Sequence, residues 1–294
     1  MVSDSTQPSI SVVVPALNEG ILLMRTVENL RATLPSSGEI VVVDDGSTDG
    51  CADALQEDQV LRIIRCTRLG AATARNVGAR QANGDIIVFA DAHIEAPPQW
   101  WMPLADVLRD SSVGAVAPVV SVMGSELSRG YGMRWKGPDL GIEWLPLESS
   151  GPHSIGLAPG CLLAMRREVF NSTGGFDDGM MLWGMEDSEY SMRLWLLGYE
   201  LKLVPSVEIA HAFREKHPYS IPWTYVIHNM LRVAFCHFNT ERIQRVVQAL
   251  KGYHDFSAAL ALLATSDVQA RRQFLNLQRR RDDDWFFQRF PMNL

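Results

Sequence analysis

The sequence lacks several features that mark other classes of protein. Its 294 residues include only four cysteines, which are widely spaced and form no C-x-x-C pair. Paired disulfides and a thiolate zinc site are therefore not expected, and a reducing cytoplasm fits this composition. No apolar run approaches the roughly 18–20 residues that a membrane helix needs. The first nine residues contain no apolar signal region. We expect neither export nor a membrane span.

Clustered positive charge is also scarce. The formal net charge is −7, whereas a phosphate backbone favours clusters of Lys and Arg. The only dense basic run, at residues 279–281, is followed at once by aspartates at 282–284, which is typical of a solvated helix end. Nucleic acid is therefore not expected as a partner.

Apolar runs and helical periodicity alternate along the first part of the chain. The order is strand 10–19, helix 21–34, strand 39–43, strand 60–66, helix 71–83 and strand 85–93. This order predicts a doubly wound, Rossmann-like α/β sheet with right-handed crossovers. Residues 124–155 are rich in Gly, Pro, Ser and Trp, which favours loops over the sheet edge. Residues 200–215 predict a strand pair, or a strand and a loop, and the pattern is helical from Trp223 onward.

Polar clusters lie at the carboxyl ends of three of the predicted strands, at residues 15–18, 44–45 and 91–93. In an open α/β sheet, ligands bind at the carboxyl ends of the strands. The three clusters therefore predict one site at one edge of the sheet.

Two of these clusters allow a structural and a functional interpretation. Asp44 and Asp45 can cap the next helix, or a carboxylate there can accept from the N–H of a uracil or from a ribose hydroxyl. Asp91 and His93 alternate along a strand end, so both can point the same way. They can belong to a turn, or they can bind a borderline divalent ion such as Mn²⁺. His211, at the end of another strand-like segment, offers a second imidazole.

Several motifs together resemble a known enzyme family. The catalytic domain of the polypeptide N-acetylgalactosaminyltransferases is similar to three segments: FADAHIEAP (89–97), LWGMEDSEYSMRLWLLGYEL (182–201) and IAHAFREKHPYSIP (209–222). The wider family 2 glycosyltransferases of GT-A fold are similar to the opening SVVVPALNE and to IVVVDDGSTD further on. The resemblance covers about residues 10–235.

The resemblance implies a domain organisation. A GT-A catalytic domain, a mixed α/β sheet, is expected at residues 1–222, and a helical C-terminal extension is expected at 223–294. Within the catalytic domain, the nucleotide-sugar half is expected at about 10–120 and the acceptor and metal half at about 121–222.

The resemblance also assigns roles to individual residues. It implies a UDP-sugar donor and a Mn²⁺ (or Mg²⁺) ion held by Asp91, His93 and His211. It implies that Asp44 contacts the uracil. The other nucleotide-sugar-binding residues that it implies are Pro15, Leu17, Glu19, Arg75, Asp91, Gly160, Trp183, Arg214, His217 and Tyr219. A metal ion and an arginine suit this task because they neutralise the charge on a departing diphosphate.

The sequence departs from the peptide-modifying enzymes at Asp187. Those enzymes have Trp-Gly-Gly-Glu-Asn and retain the anomeric configuration, whereas residues 183–187 here read Trp-Gly-Met-Glu-Asp. Glu-Asp resembles the inverting enzymes of family 2, in which the aspartate is the general base on the acceptor, a role worth about 10²–10⁴-fold. Asp187 could instead cap the helix that follows. We expect inversion, with Asp187 as the base and Glu186 binding hydroxyl groups of the acceptor or donor. A retaining enzyme is the alternative.

Other departures limit what the resemblance implies. Cys161 stands where the peptide-modifying enzymes have a second glycine at the sugar site, so specificity for an acetamido sugar is left open. Neither their lectin domain nor their membrane anchor is expected, and we expect a cytoplasmic location. The acceptor is a hydroxyl or thiol compound, and the resemblance suggests a peptide or protein. Most aromatic residues of the C-terminal helices are expected in the core, although some could line an acceptor groove or a homodimer interface.

Two further classes of protein were weighed against an enzyme of this kind. A non-catalytic nucleotide-sugar-binding protein is the alternative of another class, but the intact set Asp91, His93, His211, Glu186 and Asp187 favours catalysis. A nucleotidyltransferase would be expected to have a glycine-rich phosphate loop with a basic residue after the first strand, which PALNEG lacks. The sequence therefore predicts a metal-dependent glycosyltransferase.

Overall fold

A computed structural model describes residues 7–125, 128–214 and 216–292. The outer ends of the two predicted domains, at residues 1 and 294, lie outside these ranges. The strands are β1 (Ile10–Ala16), β2 (Glu39–Asp44), β3 (Leu61–Arg65), β4 (Ile86–Ala90), β5 (Ile94–Glu95), β6 (Val113–Val122), β7 (Arg129–Gly130), β8 (Met133–Trp135), β9 (Ile142–Trp144), β10 (His153–Ser154), β11 (Leu162–Arg166) and β12 (Glu200–His211). The helices are α1 (Ile21–Thr33), α2 (Ala71–Gln81), α3 (Trp101–Val107), α4 (Arg167–Thr173), α5 (Glu186–Leu196), α6 (Trp223–His237), α7 (Thr240–Leu250), α8 (Phe256–Ala264), α9 (Val268–Gln278) and α10 (Asp283–Arg289).

Four parallel strands form one half of the main sheet, in the order β3–β2–β1–β4. Val12, Val13 and Val14 of β1 are fully buried. Successive side chains of a strand point to opposite faces, so an unbroken apolar run requires both faces of the sheet to be covered. Val12 and Val14 belong to the hydrophobic core on one face and Val13 to the core on the other. The strands and helices predicted for this half are confirmed, with small differences in their ends.

The other half of the sheet is mixed. Strand β11 is antiparallel to both β4 and β6, and β12 is parallel to β6. The segment predicted as a strand pair, or a strand and a loop, is a single strand, β12, with an irregular register between Val204 and Glu208. Pro205 lies in this irregular stretch, and proline cannot donate a hydrogen bond to a neighbouring strand. This irregular register explains why the strand pattern of residues 200–215 is interrupted around Pro205 in the sequence.

The prediction of loops at residues 124–155 is wrong in part. Strands β7 to β10 lie there, and β8 and β9 form a separate two-stranded sheet. Each of these strands has only two or three residues, which is too short for a hydrophobic period to show in the sequence. The hairpin packs closely on β7, since any side chain at Gly130 would overlap the ring of Trp144.

The C-terminal helices share a hydrophobic core with the sheet. One hydrophobic cluster contains Leu231 of α6 and Phe286 of α10 together with Met165 of β11 and Trp135 of β8. Phe238, the residue after α6, belongs to the same cluster. The helical pattern predicted from Trp223 onward is confirmed, and most of its aromatic residues are in the core, as expected. The predicted domain boundary at residue 222 crosses this shared core and stays a prediction.

The sequence suggested that the charged run at residues 279–284 is a solvated helix end, but part of this run is buried. Asp283 is only 3% exposed, and it accepts hydrogen bonds from Asn239 N at 2.7 Å and Arg242 Nη1 at 2.8 Å. Asp282 caps α10 by accepting from Trp285 N at 2.9 Å. These aspartates therefore join α10 to the start of α7. Across the described residues, none of the helices has the length and apolar character needed to cross a bilayer.

Candidate active site

A cavity of about 560 Å³ opens at the carboxyl ends of β1 and β4. The parallel strands bring their polar ends together at this edge, as the sequence predicted. All the predicted site residues line the cavity except Asp44. Its wall combines residues from the parallel half, from the mixed half and from α6, which contributes Trp223, Val226 and Met230.

Three side chains that could hold a metal ion meet at one side of the cavity. Asp91 follows β4, and His211 ends β12, whose last residues pair with β5 just after His93. One ligand atom from each of Asp91, His93 and His211 lies within 4.8 Å of the others. The Nε2 atom of His211 is 3.3 Å from Oδ2 of Asp91, and the buried Nδ1 atom of His211 has no hydrogen-bond partner among the described residues.

The chemistry of this cluster fits a divalent cation. Burial alone would raise the pKa of Asp91, but the hydrogen bond with His211 and the charge of Arg75 hold it well below the usual range. The carboxylate is therefore ionised at neutral pH. One carboxylate and two imidazoles suit a borderline ion such as Mn²⁺ better than an ion that prefers oxygen ligands alone.

Glu19 lies directly behind this cluster. Its Oε2 atom is 3.1 Å from Nδ1 of His93, and the same oxygen accepts a hydrogen bond from Nη2 of Arg214. A carboxylate in this position orients the imidazole ring and selects its tautomer. Glu19 therefore connects Arg214 to the metal-binding side of the cavity.

Arg75, on α2, connects the metal-binding side to a pair of acids. Its side chain is 4% exposed. Nη1 donates to Oε1 of Glu186 at 2.8 Å, and Nη2 donates to Oδ1 of Asp91 at 3.1 Å and to the carbonyl oxygen of Gly160 at 3.3 Å. The guanidinium thus compensates the charge of two buried carboxylates and fixes the distance between them.

Glu186 and Asp187 begin α5, and both line the same cavity as the metal cluster. Oδ2 of Asp187 accepts from Gly160 N at 2.9 Å, and Oδ1 accepts from Ser188 N at 2.6 Å. Glycine at position 160 favours this close approach, since a Cβ atom there would lie 3.2 Å from Cβ of Asp187 and 3.3 Å from Nη2 of Arg75. Burial and the neighbouring charge of Glu186 raise the pKa of Asp187 to about 6, against the opposing effect of Arg75. Asp187 is therefore a basic carboxylate that faces the cavity.

The sequence matches two known families. The profile of glycosyl transferase family 2 matches residues 11–174, and that of the N-terminal domain of galactosyltransferase matches residues 155–218. The first match covers more than half of the chain. The protein belongs to glycosyltransferase family 2.

Curated relatives of this family 2 protein are polypeptide N-acetylgalactosaminyltransferases. Polypeptide N-acetylgalactosaminyltransferase 11 of Xenopus tropicalis is 33% identical over 258 residues, covering 77% of this chain and 42% of the relative. Polypeptide N-acetylgalactosaminyltransferase 10 of Rattus norvegicus is 29% identical over 312 residues, covering 98% of this chain and 50% of the relative. The chain thus spans about half the length of these relatives.

Two solved structures support the GT-A fold. The crystal structure of GalNAc-T7 with UDP, GalNAc and Mn²⁺ has a TM-score of 0.78 at 23% identity, covering 98% of this chain and 59% of the other. The mannosyltransferase PcManGT from Pyrobaculum calidifontis, in complex with GDP-Man and Mn²⁺, has a TM-score of 0.57 at 22% identity, covering 93% of this chain and 85% of the other. The fold class predicted from the sequence is confirmed.

In this family 2 protein the acidic pair at the end of β2 divides between two environments. Asp44 accepts from Ser47 N at 2.9 Å and from Arg65 Nη1 at 3.1 Å. Asp45, to which the resemblance assigned no role, lines the cavity and accepts from Leu69 N at 2.5 Å and Gly70 N at 2.8 Å. Successive strand residues face opposite sides, and that alternation could have separated the two. A contact between Asp44 and uracil stays a prediction.

Aromatic rings surround the mouth of the cavity. Trp183, His217 and Tyr219, all predicted site residues, are in sequential ring contact, with centroids 4.6 Å and 5.7 Å apart. Trp144 and Phe213 form a second contact at 6.0 Å, and the sequence did not predict this pair. The short strand β9 that carries Trp144 gave no periodic signal, although Phe213 could have been found because it lies two residues after His211.

Proposed function

We propose that this family 2 glycosyltransferase moves a sugar from a UDP-sugar donor to a hydroxyl or thiol acceptor and inverts the anomeric configuration. The observation that carries the proposal is that one cavity is lined both by the possible metal ligands Asp91, His93 and His211 and by the acids Glu186 and Asp187. A divalent-metal site and a basic carboxylate are the two groups that such a transfer needs. The curated relatives and the UDP and Mn²⁺ in the structure of GalNAc-T7 support a UDP-sugar.

The donor would lie along the sheet edge. Pro15, Leu17 and Asp44 would hold the uridine. Asp91, His93 and His211 would hold Mn²⁺, which when bound neutralises charge on the diphosphate. Arg214 and His217 line the same cavity and would donate hydrogen bonds to the phosphate oxygens, with Trp183 and Tyr219 beside them.

Asp187 would act on the acceptor. As the acceptor oxygen or sulfur forms its bond to C1 of the sugar, its proton passes to the carboxylate of Asp187. The bond from C1 to the UDP oxygen breaks at the same time, and UDP leaves with the electron pair. A base works best when its pKa lies near the working pH, and a pKa of about 6 keeps Asp187 largely ionised at neutral pH. Glu186, paired with Arg75, would bind a hydroxyl group of the donor or acceptor.

A retaining reaction is the second candidate. The observation that favours it is the similarity to polypeptide N-acetylgalactosaminyltransferases. Proton NMR of the first product formed from an α-linked UDP-sugar separates the two, because inversion gives a β-linked product. An α-linked first product would contradict the proposed inversion and favour the retaining reaction.

The predicted acceptor, donor sugar, cellular location and oligomeric state each need an experiment of their own. We propose a peptide or protein as the first acceptor to test, because the curated relatives carry that acceptor in their names. Screening should include several UDP-sugars, since Cys161 lines the cavity at the position where the resemblance places a second glycine. Fractionation of cells would test the predicted cytoplasmic location, and light scattering would test a homodimer. UDP binding without transfer to any acceptor would favour the non-catalytic alternative.

A further inference from the structure

The segment that leads into α5 has an unusual backbone. Leu182, Gly184 and Met185 have φ angles of 44°, 97° and 73°. The left-handed conformation is unfavourable for residues that carry a side chain, and two of these three do. Such a conformation persists only where surrounding contacts hold it.

The side chain of Asn229, on α6, provides several of those contacts. It is fully buried. Its Oδ1 atom accepts from Met181 N at 2.7 Å. Its Nδ2 atom donates to the carbonyl oxygens of Met181 at 2.8 Å, Trp183 at 3.2 Å and Gly184 at 2.9 Å. One amide group therefore bonds to the backbone on both sides of Leu182.

The start of α2 holds Leu182 from another direction. Ala71 N donates to the carbonyl oxygen of Leu182 at 2.7 Å. A Cβ atom at Gly70 would lie 2.7 Å from Cα of Leu182, so the two backbones are in close contact. Gly70 N in turn donates to Asp45. The segment is thus fixed between the cavity wall and α6.

The same segment presents groups to the cavity. Trp183 lines the cavity and is 39% exposed, and Met185 is the last residue before α5, which begins with Glu186 and Asp187. A change in the backbone at residues 182–185 would move the first turn of α5. The distance between Asp187 and Gly160 N would change with it.

We propose that Asn229 is a positioning residue for sugar transfer: its amide holds residues 181–184 and thereby sets the position of Glu186 and Asp187. Asn229 does not line the cavity, so it acts through the segment. The inference rests on the proposed function. It gives α6 a function in catalysis besides its part in the core.

Three variants of the full chain test the proposal. Asn229→Ala removes the four hydrogen bonds with residues 181–184 and a fifth contact, between Oδ1 and Nδ1 of His228 at 3.0 Å. Asn229→Asp keeps the size of the side chain and the acceptor for Met181 N, but it turns a carboxylate oxygen toward three carbonyl oxygens. The matched control is Ile227→Val, which removes a buried methyl group from α6 about 200° around the helix from Asn229. Hydrogen exchange of the amides at 181–188, kcat, KM and the affinity for UDP are measured for each variant.

The expected results differ between the variants. In both Asn229 variants, amides at 181–188 should exchange faster than in the wild type, and kcat should fall about 10–100-fold, since small misplacement of reacting groups has this effect. The loss in kcat should exceed the loss in UDP affinity, because most of the proposed uridine and metal contacts lie on the sheet. Ile227→Val should match the wild type in both measurements.

Two results would overturn the proposal by itself. Unchanged exchange at 181–188 in Asn229→Ala would show that the amide does not hold the segment. Sugar transfer as fast in Asn229→Ala and Asn229→Asp as in Ile227→Val would show that the segment does not position the acids. Absence of transfer in the wild type would overturn the proposed function, and this inference with it.

Discussion

Replacing Asp187 by asparagine should remove most of the sugar transfer while leaving the shape of the cavity nearly unchanged. An amide cannot take the proton of the acceptor, and the loss of a positioned base costs about 10²–10⁴-fold in rate. The donor site on the sheet should keep its affinity for UDP. The proposed mechanism therefore predicts a loss in kcat with little change in UDP binding.

The same substitution has a structural effect that must be controlled. Gly160 N and Ser188 N donate to different oxygens of Asp187, and asparagine offers only one oxygen. One N–H group therefore loses its acceptor, at a cost of about 1–3 kcal/mol. Ser191→Ala is a matched control because it leaves the buried Ala158 N without its acceptor at 3.0 Å and removes a hydrogen bond to the carbonyl oxygen of Asp187, while the carboxylate of Asp187 remains. This control should lose stability, measured by denaturant unfolding, but keep most of the transfer rate.

The pH dependence of kcat/KM completes this prediction. Asp187 must be ionised to act as a base, and burial together with Glu186 raises its pKa to about 6. Below that pH the wild-type rate should fall about tenfold per pH unit, and above it the rate should level off. Release of UDP, followed on either side of that pH, is the assay. A rate in Asp187→Asn close to that of Ser191→Ala would refute the reasoning and favour the retaining reaction.

Three further predictions concern other buried groups. Asp177→Asn should destabilise the protein by up to about 3–5 kcal/mol in denaturant unfolding, because it leaves the buried guanidinium of Arg232 without its bidentate partner. A loss below about 1 kcal/mol, the value of an exposed ion pair, would contradict this prediction. Burial raises the pKa of the Cys161 thiol. At pH 8 a thiol reagent should therefore modify Cys161 at least about ten times more slowly in the native protein than in the unfolded protein. Equal rates of modification, measured by peptide mass spectrometry, would contradict this prediction. Gly160→Ala should lower kcat more than about tenfold, since its Cβ atom would press on Asp187, and unchanged kcat would show that this approach is not needed.

The elements that the sequence predicted well are those with long, regular patterns. The helix predicted at 21–34 is α1, Ile21–Thr33, and the buried runs around β1, β2 and β4 follow from a sheet covered on both faces. Asp91 and His93 both reach the cavity, but they lie in the turn after β4, so the strand alternation given as the reason is wrong. His211 joins them only because β12 pairs with β5, a contact between residues far apart in sequence, and here the resemblance supplied what local pattern could not.

The features that escaped prediction depend on tertiary contacts. Alternation indicates that Asp44 and Asp45 point to opposite sides, but it does not show which of the two faces the cavity. Asn229 lies within a helix whose sequence reads as core, and its hydrogen bonds with residues 181–184 join segments more than forty positions apart. The hairpin that carries Trp144 consists of strands too short to show a period.

The central claim is that Asp91, His93 and His211 form a metal site that serves a UDP-sugar. Calorimetric titration of UDP with and without Mn²⁺ tests it most directly, with GDP as the control nucleotide and His93→Ala as the variant. If these three residues form the metal site, UDP should bind more tightly than GDP, and its binding should depend on Mn²⁺. His93→Ala should lose this dependence on Mn²⁺. UDP binding that is no stronger than GDP binding, or that is unaffected by both the metal and the substitution, would contradict it.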